Sequence, residues 1–267
     1  MTVRALRMAS AVTGLAMLAA CASRAPARPE GTPTDDPAAP QTFASATAHC
    51  AGLRTVTATI RLSGRVGAQR VRARLLAGFA PPASVRLEAV APFGPPGFVL
   101  AASADRARLV FPREAQVLDG APVPDVLGAL AGLPLGADDL RRVLVGCPAG
   151  DAGEGRRYPG GWTTVTLGPD TRAFVREVNG RPVLAALDLR GWQADYAGWL
   201  NGIARTVRVH RSTGAAVTDL TAALDDLNLN IDLPPAAFEV EIPDGARPIT
   251  LDDLRAASPL QATGQER

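Results

Sequence analysis

Three cysteines, two histidines and, beyond the Pro-rich stretch, three side-by-side acid pairs are the residues of this 267-residue chain whose chemistry could extend beyond packing. Cys21 closes an apolar run and follows Leu18-Ala19-Ala20; small residues there leave the backbone open to a peptidase. Cys50 and Cys147 are the two remaining thiols. Outside the cytosol they either pair, closing a loop whose entropy is worth on the order of 4.7 kcal/mol, or stand as two buried free thiols. His49 and His210 fall in an expected helix and an expected strand, neither with a cysteine or second histidine at ligand spacing, so no metal site and no cofactor is expected. Asp138-Asp139, Asp225-Asp226 and Asp252-Asp253 are neighbours whose side chains diverge on a helix or strand. They suit caps and solvated turns better than general acid–base chemistry. There is no G-x-S-x-G and no P-loop, and Gly94-Pro95-Pro96-Gly97 cannot cradle a phosphate because two of its four positions lack an N–H. The chain is not expected to be an enzyme.

The elements that must position Cys21 come first in the chain. Arg4 and Arg7 precede an apolar run from Ala9 to Ala20, which has the length of a signal-peptide core and falls short of the roughly 20 residues a spanning helix needs. Residues 1–20 are therefore expected to be a signal peptide. The ending Leu18-Ala19-Ala20-Cys21 resembles a bacterial lipobox, which implies an acylated Cys21 as mature N-terminus; Ala22 and Ser23 lack the acidic residue that would imply retention at the inner membrane. Residues 21–40 (CASRAPARPEGTPTDDPAAP) are Pro-rich, small and aperiodic, and read as a tether.

All 28 basic residues are arginine, against 26 acids. Two of them lie in the leader, leaving 28 − 2 = 26 basic against 26 acidic residues, a formally neutral mature chain for which nucleic acid is not an expected partner.

Beyond the tether, period-two alternation dominates the chain. Gln41 to Leu53 has the three- and four-residue apolar spacing of a helix, through Phe43, Ala46, Cys50 and Leu53. Then Val56, Ala58, Ile60, Leu62 and Val66 alternate with Thr and Arg, with Gly64 the one gap. Val71 to Phe79 and Val85 to Ala89 repeat the alternation, so three strands with one wet face form a meander. Further strands are expected at Phe98–Ser103, Arg106–Phe111 and Glu114–Leu118, joined by connections too short for crossover helices. Helices are expected at Pro124–Ala131 and Ala137–Val145. Strands resume at Trp162–Leu167 and Ala173–Val178; Asn179-Gly180 turns the chain into a single strand from Val183 through Trp192 towards Tyr196. Ala204–Arg211 and Ala216–Ile231 pair through Ser212-Thr213-Gly214, and Thr250 with Asp253 caps a last helix, Leu251–Ala257. The sum is ten or eleven strands, mainly β with a few helices, in a strongly curved antiparallel sheet or incomplete barrel wrapped on helices. Residues 258–267 are expected to be a disordered tail.

The order of these features, with Leu62-Ser63-Gly64 opening the meander and Phe238, Ile242-Pro243-Asp244-Gly245-Ala246 and Ile249–Leu254 closing it, resembles the LolA/LolB-like group of periplasmic lipoprotein carriers and outer-membrane lipoprotein receptors. The resemblance covers residues 41–257. It implies a half-open β-barrel closed by helices, its apolar concave face holding acyl chains; the matching positions are Val56, Ile60, Leu62, Val71, Leu75, Val85 and Leu87. It also implies a membrane-touching loop, here Ala91 to Phe98, with Phe93 and Phe98 as its apolar residues. The expected partners are acylated lipoproteins or lipid, the outer membrane through the anchor, and a periplasmic carrier protein; a monomer at the periplasmic face of the outer membrane is expected. The same alternation also fits a filled core. A structural or assembly lipoprotein acting as a protein-interaction module is the alternative, and the volume of the interior separates the two.

Overall fold

The computed structural model describes residues 28–104, 106–211 and 218–257. Its strands are β1 (Thr34–Asp35), β2 (Val56–Val66), β3 (Gln69–Ala80), β4 (Ser84–Ala89), β5 (Val99–Ser103), β6 (Arg106–Phe111), β7 (Gln116–Pro122), β8 (Gly155–Tyr158), β9 (Trp162–Gly168), β10 (Thr171–Val178), β11 (Arg181–Leu189), β12 (Trp192–Ala197), β13 (Thr206–Arg211), β14 (Thr218–Leu229) and β15 (Arg247–Pro248). The helices are α1 (Ala39–Ala46), α2 (Val123–Ala131), α3 (Ala137–Val145) and α4 (Leu251–Ala257). Among the described residues no helix is long and apolar enough to cross a membrane.

All fifteen strands belong to one curved sheet that does not close, in the order β1-β8-β9-β10-β11-β12-β13-β14-β2-β3-β4-β5-β6-β7-β15. Two meanders, β2–β7 and β8–β14, are therefore stitched together where β14 pairs antiparallel with β2. At that seam Gly64 faces Leu220, and a Cβ on Gly64 would stand 2.0 Å from the carbonyl oxygen of Asp219. Leu62-Ser63-Gly64 thus ends in glycine because the neighbouring strand passes through the space a side chain would fill.

Several elements differ from their sequence patterns for identifiable reasons. The expected helix Gln41–Leu53 is α1 followed by a separate 3₁₀ turn, Ala48–Cys50. Thr42, Ser45 and Thr47 each donate a hydroxyl hydrogen bond back to the carbonyl four residues earlier, a habit that weakens and bends helices. The expected strand from Val183 to Tyr196 is two strands, β11 and β12, because Arg190-Gly191 turns with φ of 49° and 78°.

Within the stretch read as tether, Arg28 and residues 34–36 are tied to the sheet, and Ala39 and Pro40 open α1. Thr34–Asp35 pairs with Arg157–Arg156 as an edge strand, Arg157 reaches buried Asp36 at 2.8 Å, and Arg156 is paired with Asp35. Arg28 bonds Asp188 at 3.0 Å and stacks 4.6 Å over the Phe174 ring. Charge pairing with β8–β12 supplies an ordering that apolar periodicity could not reveal. Cys21, the leader and residues 258–267 lie outside the described residues.

The helices pack against strands of the sheet and against each other. α1 packs on β9–β11, α3 on β3 and β4, and α2 between β6–β7 and α4, where Leu254 is buried. The capping box of α4 is formed: Thr250 Oγ1 accepts from the Asp253 N–H at 3.1 Å, and Asp253 accepts from the Thr250 N–H at 2.9 Å.

Candidate functional site

Under α2 and α3, at the seam of the two meanders, lies a cavity of about 90 Å³. β2, β3 and β4 contribute Ile60, Leu62, Leu75 and Leu87. β13 and β14 contribute Val207, Val209, Leu220 and Ala222, and the helices with their connection add Leu127, Ala131, Leu133, Leu140, Val143 and Leu144. Every one of these side chains is aliphatic. Such a lining offers no hydrogen bond to a ligand and selects only by shape and apolar area.

Of the seven expected cavity residues, Ile60, Leu62, Leu75 and Leu87 come together here. Val56, Val71 and Val85 do not line it: they are buried core, with Val56 and Val85 on either side of Phe79 across the β2–β3–β4 ladder. The lining from β13, β14 and the helices was absent from the expected set. Its alternation and helical spacing were visible, but nothing in a linear pattern shows that β14 pairs with β2.

The two helices over the cavity are held very differently. Arg141 of α3, 5 % exposed, donates to the carbonyls of Arg54 at 2.8 Å and Leu53 at 3.4 Å and bonds Asp138. His49 Nε2 donates to the Val145 carbonyl at 2.8 Å, and the Tyr196 hydroxyl donates to that of Val143 at 2.9 Å. Burial pushes the Tyr196 phenol well above its ordinary pKa, so it stays a donor. Just beyond α3, Cys147 is disulfide-bonded to Cys50, with Cα atoms 5.5 Å apart. α2, by contrast, is held by apolar contacts through Val123, Val126, Leu127 and Leu130; among the described residues no side-chain hydrogen bond or ion pair ties it down. At the α2–α3 turn Gly132, with φ of 63°, rests on the sheet: a Cβ there would meet Thr218 Oγ1 at 2.9 Å and Val66 at 3.0 Å.

Chemistry-bearing residues elsewhere have structural partners. His49, Cys50 and Cys147 converge, their possible ligand atoms within 4.8 Å of one another, a grouping that sequence spacing missed because Cys147 is 97 residues from Cys50. With the two sulfurs bonded to each other, neither is a thiolate able to ligate a metal. His210 bonds Asp195 at 3.0 Å. Asp138 pairs with Arg141 and Arg142, Asp139 with Arg190, Asp225 with Arg61, and Asp252 with Arg255. Burial alone would raise the pKa of Asp138, but hydrogen bonds from Arg142 and Arg141 outweigh it and hold the carboxyl below its usual range.

The expected membrane loop separates its two phenylalanines. Phe93 is 85 % exposed. Phe98 is buried at 2 % exposure and meets Phe111 edge-on at 6.4 Å, so it belongs to the core; the Ala89 N–H donates to its carbonyl and extends the β4–β5 ladder by one residue.

No protein-family model matches the sequence, and neither does any curated protein. Among solved structures, a domain assigned to outer membrane lipoprotein sorting from Vibrio parahaemolyticus is similar at a TM-score of 0.46 and 12% identity, covering 74% of this chain and 95% of that one. A DUF1329 family protein from Desulfovibrio piger is similar at 0.45 and 11% identity, covering 77% and 98%. The lipoprotein LppX of Mycobacterium tuberculosis is similar at 0.33 and 9% identity, covering 74% and 100%. These are likenesses of chain path at low identity, and no function passes from them to this chain.

Proposed function

We propose that this chain is an outer-membrane lipoprotein, anchored through Cys21, whose half-open barrel takes an acyl chain of a lipoprotein or lipid against its apolar face and hands it to the membrane beside Phe93. Binding and release suffice, with no covalent step. The observation that carries the reading is the wholly aliphatic cavity beneath a helix, α2, that no polar bond fastens. At about 90 Å³ the cavity is well under the roughly 300 Å³ at which ligand pockets begin, so an acyl chain enters only as α2 withdraws. Apolar surface left by Val126, Leu127 and Leu130 is covered again by methylenes, each worth about 0.8 kcal/mol on burial.

The same small volume favours a second reading, a filled-core assembly lipoprotein that presents a protein-interaction surface. Ala131→Leu separates the two. If acyl chains enter, lipid that co-purifies with the parent protein, identified by mass spectrometry, is lost in the variant, which is also more stable because the void is filled. If the parent carries no lipid, and the variant differs only in stability, the filled-core reading stands and acyl binding fails.

A further inference from the structure

The outer face of the β2–β3 hairpin breaks a rule of sheet design. Register places Arg61 directly opposite Arg74, Ser63 opposite Arg72, and Arg65 opposite Arg70, and all five arginines are exposed. Like charges facing each other across a ladder destabilise the pair, so this arrangement works against the fold unless something anionic covers it. The nearby acids do not. Asp225 is engaged by Arg61, Glu88 of β4, opposite Leu76, by Arg86 at 3.4 Å, and both carboxylate oxygens of Asp219, which lies opposite Arg65 on β14, accept from Arg208 at 2.7 Å. Among the described residues Arg65, Arg70, Arg72 and Arg74 have no ion-pair partner.

Apolar side chains stand in the same strip. Leu76, the next outward position after Arg74, is 45 % exposed, and Val90, whose N–H donates to the Arg74 carbonyl at 2.8 Å, is 37 % exposed. Val90 opens the loop that carries Phe93. Two of the six large apolar side chains exposed among the described residues, Leu76 and Val90, therefore stand beside Arg74, and a third, Phe93, is on the loop that Val90 opens. An acidic protein would match the charge alone. A bilayer carrying anionic phospholipid matches both parts, taking the guanidinium groups at its headgroups and the apolar side chains at the boundary below them.

We propose that Arg65, Arg70, Arg72 and Arg74 form a headgroup-binding ladder that seats the β2–β3 hairpin on anionic phospholipid and so orients the Phe93 loop into the bilayer. The inference rests on the membrane-facing reading of that loop and adds its lipid class. It leaves acyl binding in the cavity untouched.

The test uses the full chain carrying Pro92→Cys, labelled with an environment-sensitive fluorophore and reconstituted into vesicles of phosphatidylcholine alone or with phosphatidylglycerol. With phosphatidylglycerol the label is expected to move from water into the bilayer interface, and added salt to reverse this. Changing Arg70, Arg72 and Arg74 to glutamine lowers the docked-to-undocked ratio by about fivefold per arginine, whereas lysine at the same positions retains most of it. Equal docking on both vesicles, or a glutamine variant that docks like the parent on phosphatidylglycerol, overturns the proposal and leaves the ladder to an acidic protein. A label that stays in water on both vesicles defeats the membrane-loop reading itself, and this inference with it.

Discussion

Arg113 donates through Nη2 to the carbonyl of Phe93 at 2.8 Å and through Nε to that of Pro95 at 3.1 Å, so one guanidinium from the β6–β7 turn holds the main chain of a loop whose ring faces solvent. The loop is also pinched at its base, where Ala89 exchanges main-chain hydrogen bonds with Gly97 and Phe98. Phe93 is thus presented by a fixed frame, which spares the ordering entropy a slack loop would lose on contact.

Phe93→Glu should leave thermal stability within about 0.5 kcal/mol of the parent, as for other exposed sites, and should weaken transfer of an acylated client to vesicles. Arg113→Ala keeps the ring but frees the loop, so a smaller loss of transfer is expected from it. A Phe93→Glu protein that transfers normally removes the membrane role of the loop; one that unfolds readily shows the ring to be buried in solution.

The Cys50–Cys147 bond spans 97 residues and joins the turn after α1 to the end of α3. Loop-closure entropy for such a span is on the order of 4.7 kcal/mol, an upper figure. Urea unfolding with and without reductant, or of the double variant Cys50→Ser, Cys147→Ser, should show a large fall in midpoint. Two thiols freely alkylated in the unfolded, non-reduced protein would contradict the bond.

Arg141 is buried where Arg142 is not, and they share Asp138. Arg141→Ala leaves the carbonyls of Leu53 and Arg54 without their donor and should cost about 1–3 kcal/mol. Arg142→Ala, at a half-exposed ion pair, should cost less than about 1 kcal/mol. Thermal melts of the two variants compare them directly.

Asp138 is held below its ordinary pKa by Arg142 and Arg141, and Asp219 is held below its own chiefly by the hydrogen bond from Arg208. A depressed folded-state pKa means the unfolded chain binds protons first as the pH falls. The stability these carboxylates contribute is therefore complete above about pH 4 and is lost below it as they protonate. Urea midpoints measured from pH 6 to pH 3 should fall in the acid limb, and Asp219→Asn should flatten that fall. An unchanged acid limb in the variant would show that Asp219 does not contribute.

Much of the local structure was legible along the chain. Ala137–Val145 is a helix because its aliphatic residues recur at three and four and two aspartates occupy its first turn, and α3 has those bounds. Asn179 and Gly180 turn β10 into β11 with positive φ at both positions, as that dipeptide favours. Alternation places Ile60, Leu62, Leu75 and Leu87 on one apolar face, and Phe93, in a loop bounded by Pro and Gly, is exposed there.

What the chain pattern could not decide is which apolar residues share a space, and whether that space is full. Period two assigns a face to every residue of a strand but is blind to the strand beside it, so the β14–β2 seam, and with it the contribution of Val207, Val209, Leu220 and Ala222 to the cavity, arises only when two meanders meet. β1 and β8 have too little apolar alternation to be seen, and they form because arginine and aspartate side chains meet across them. The depth at which Phe98 is buried while Phe93 is not follows from Phe111 on a neighbouring strand. A cavity volume is a small difference between the space enclosed by the backbone and the side chains that fill it, and only the assembled fold sets both.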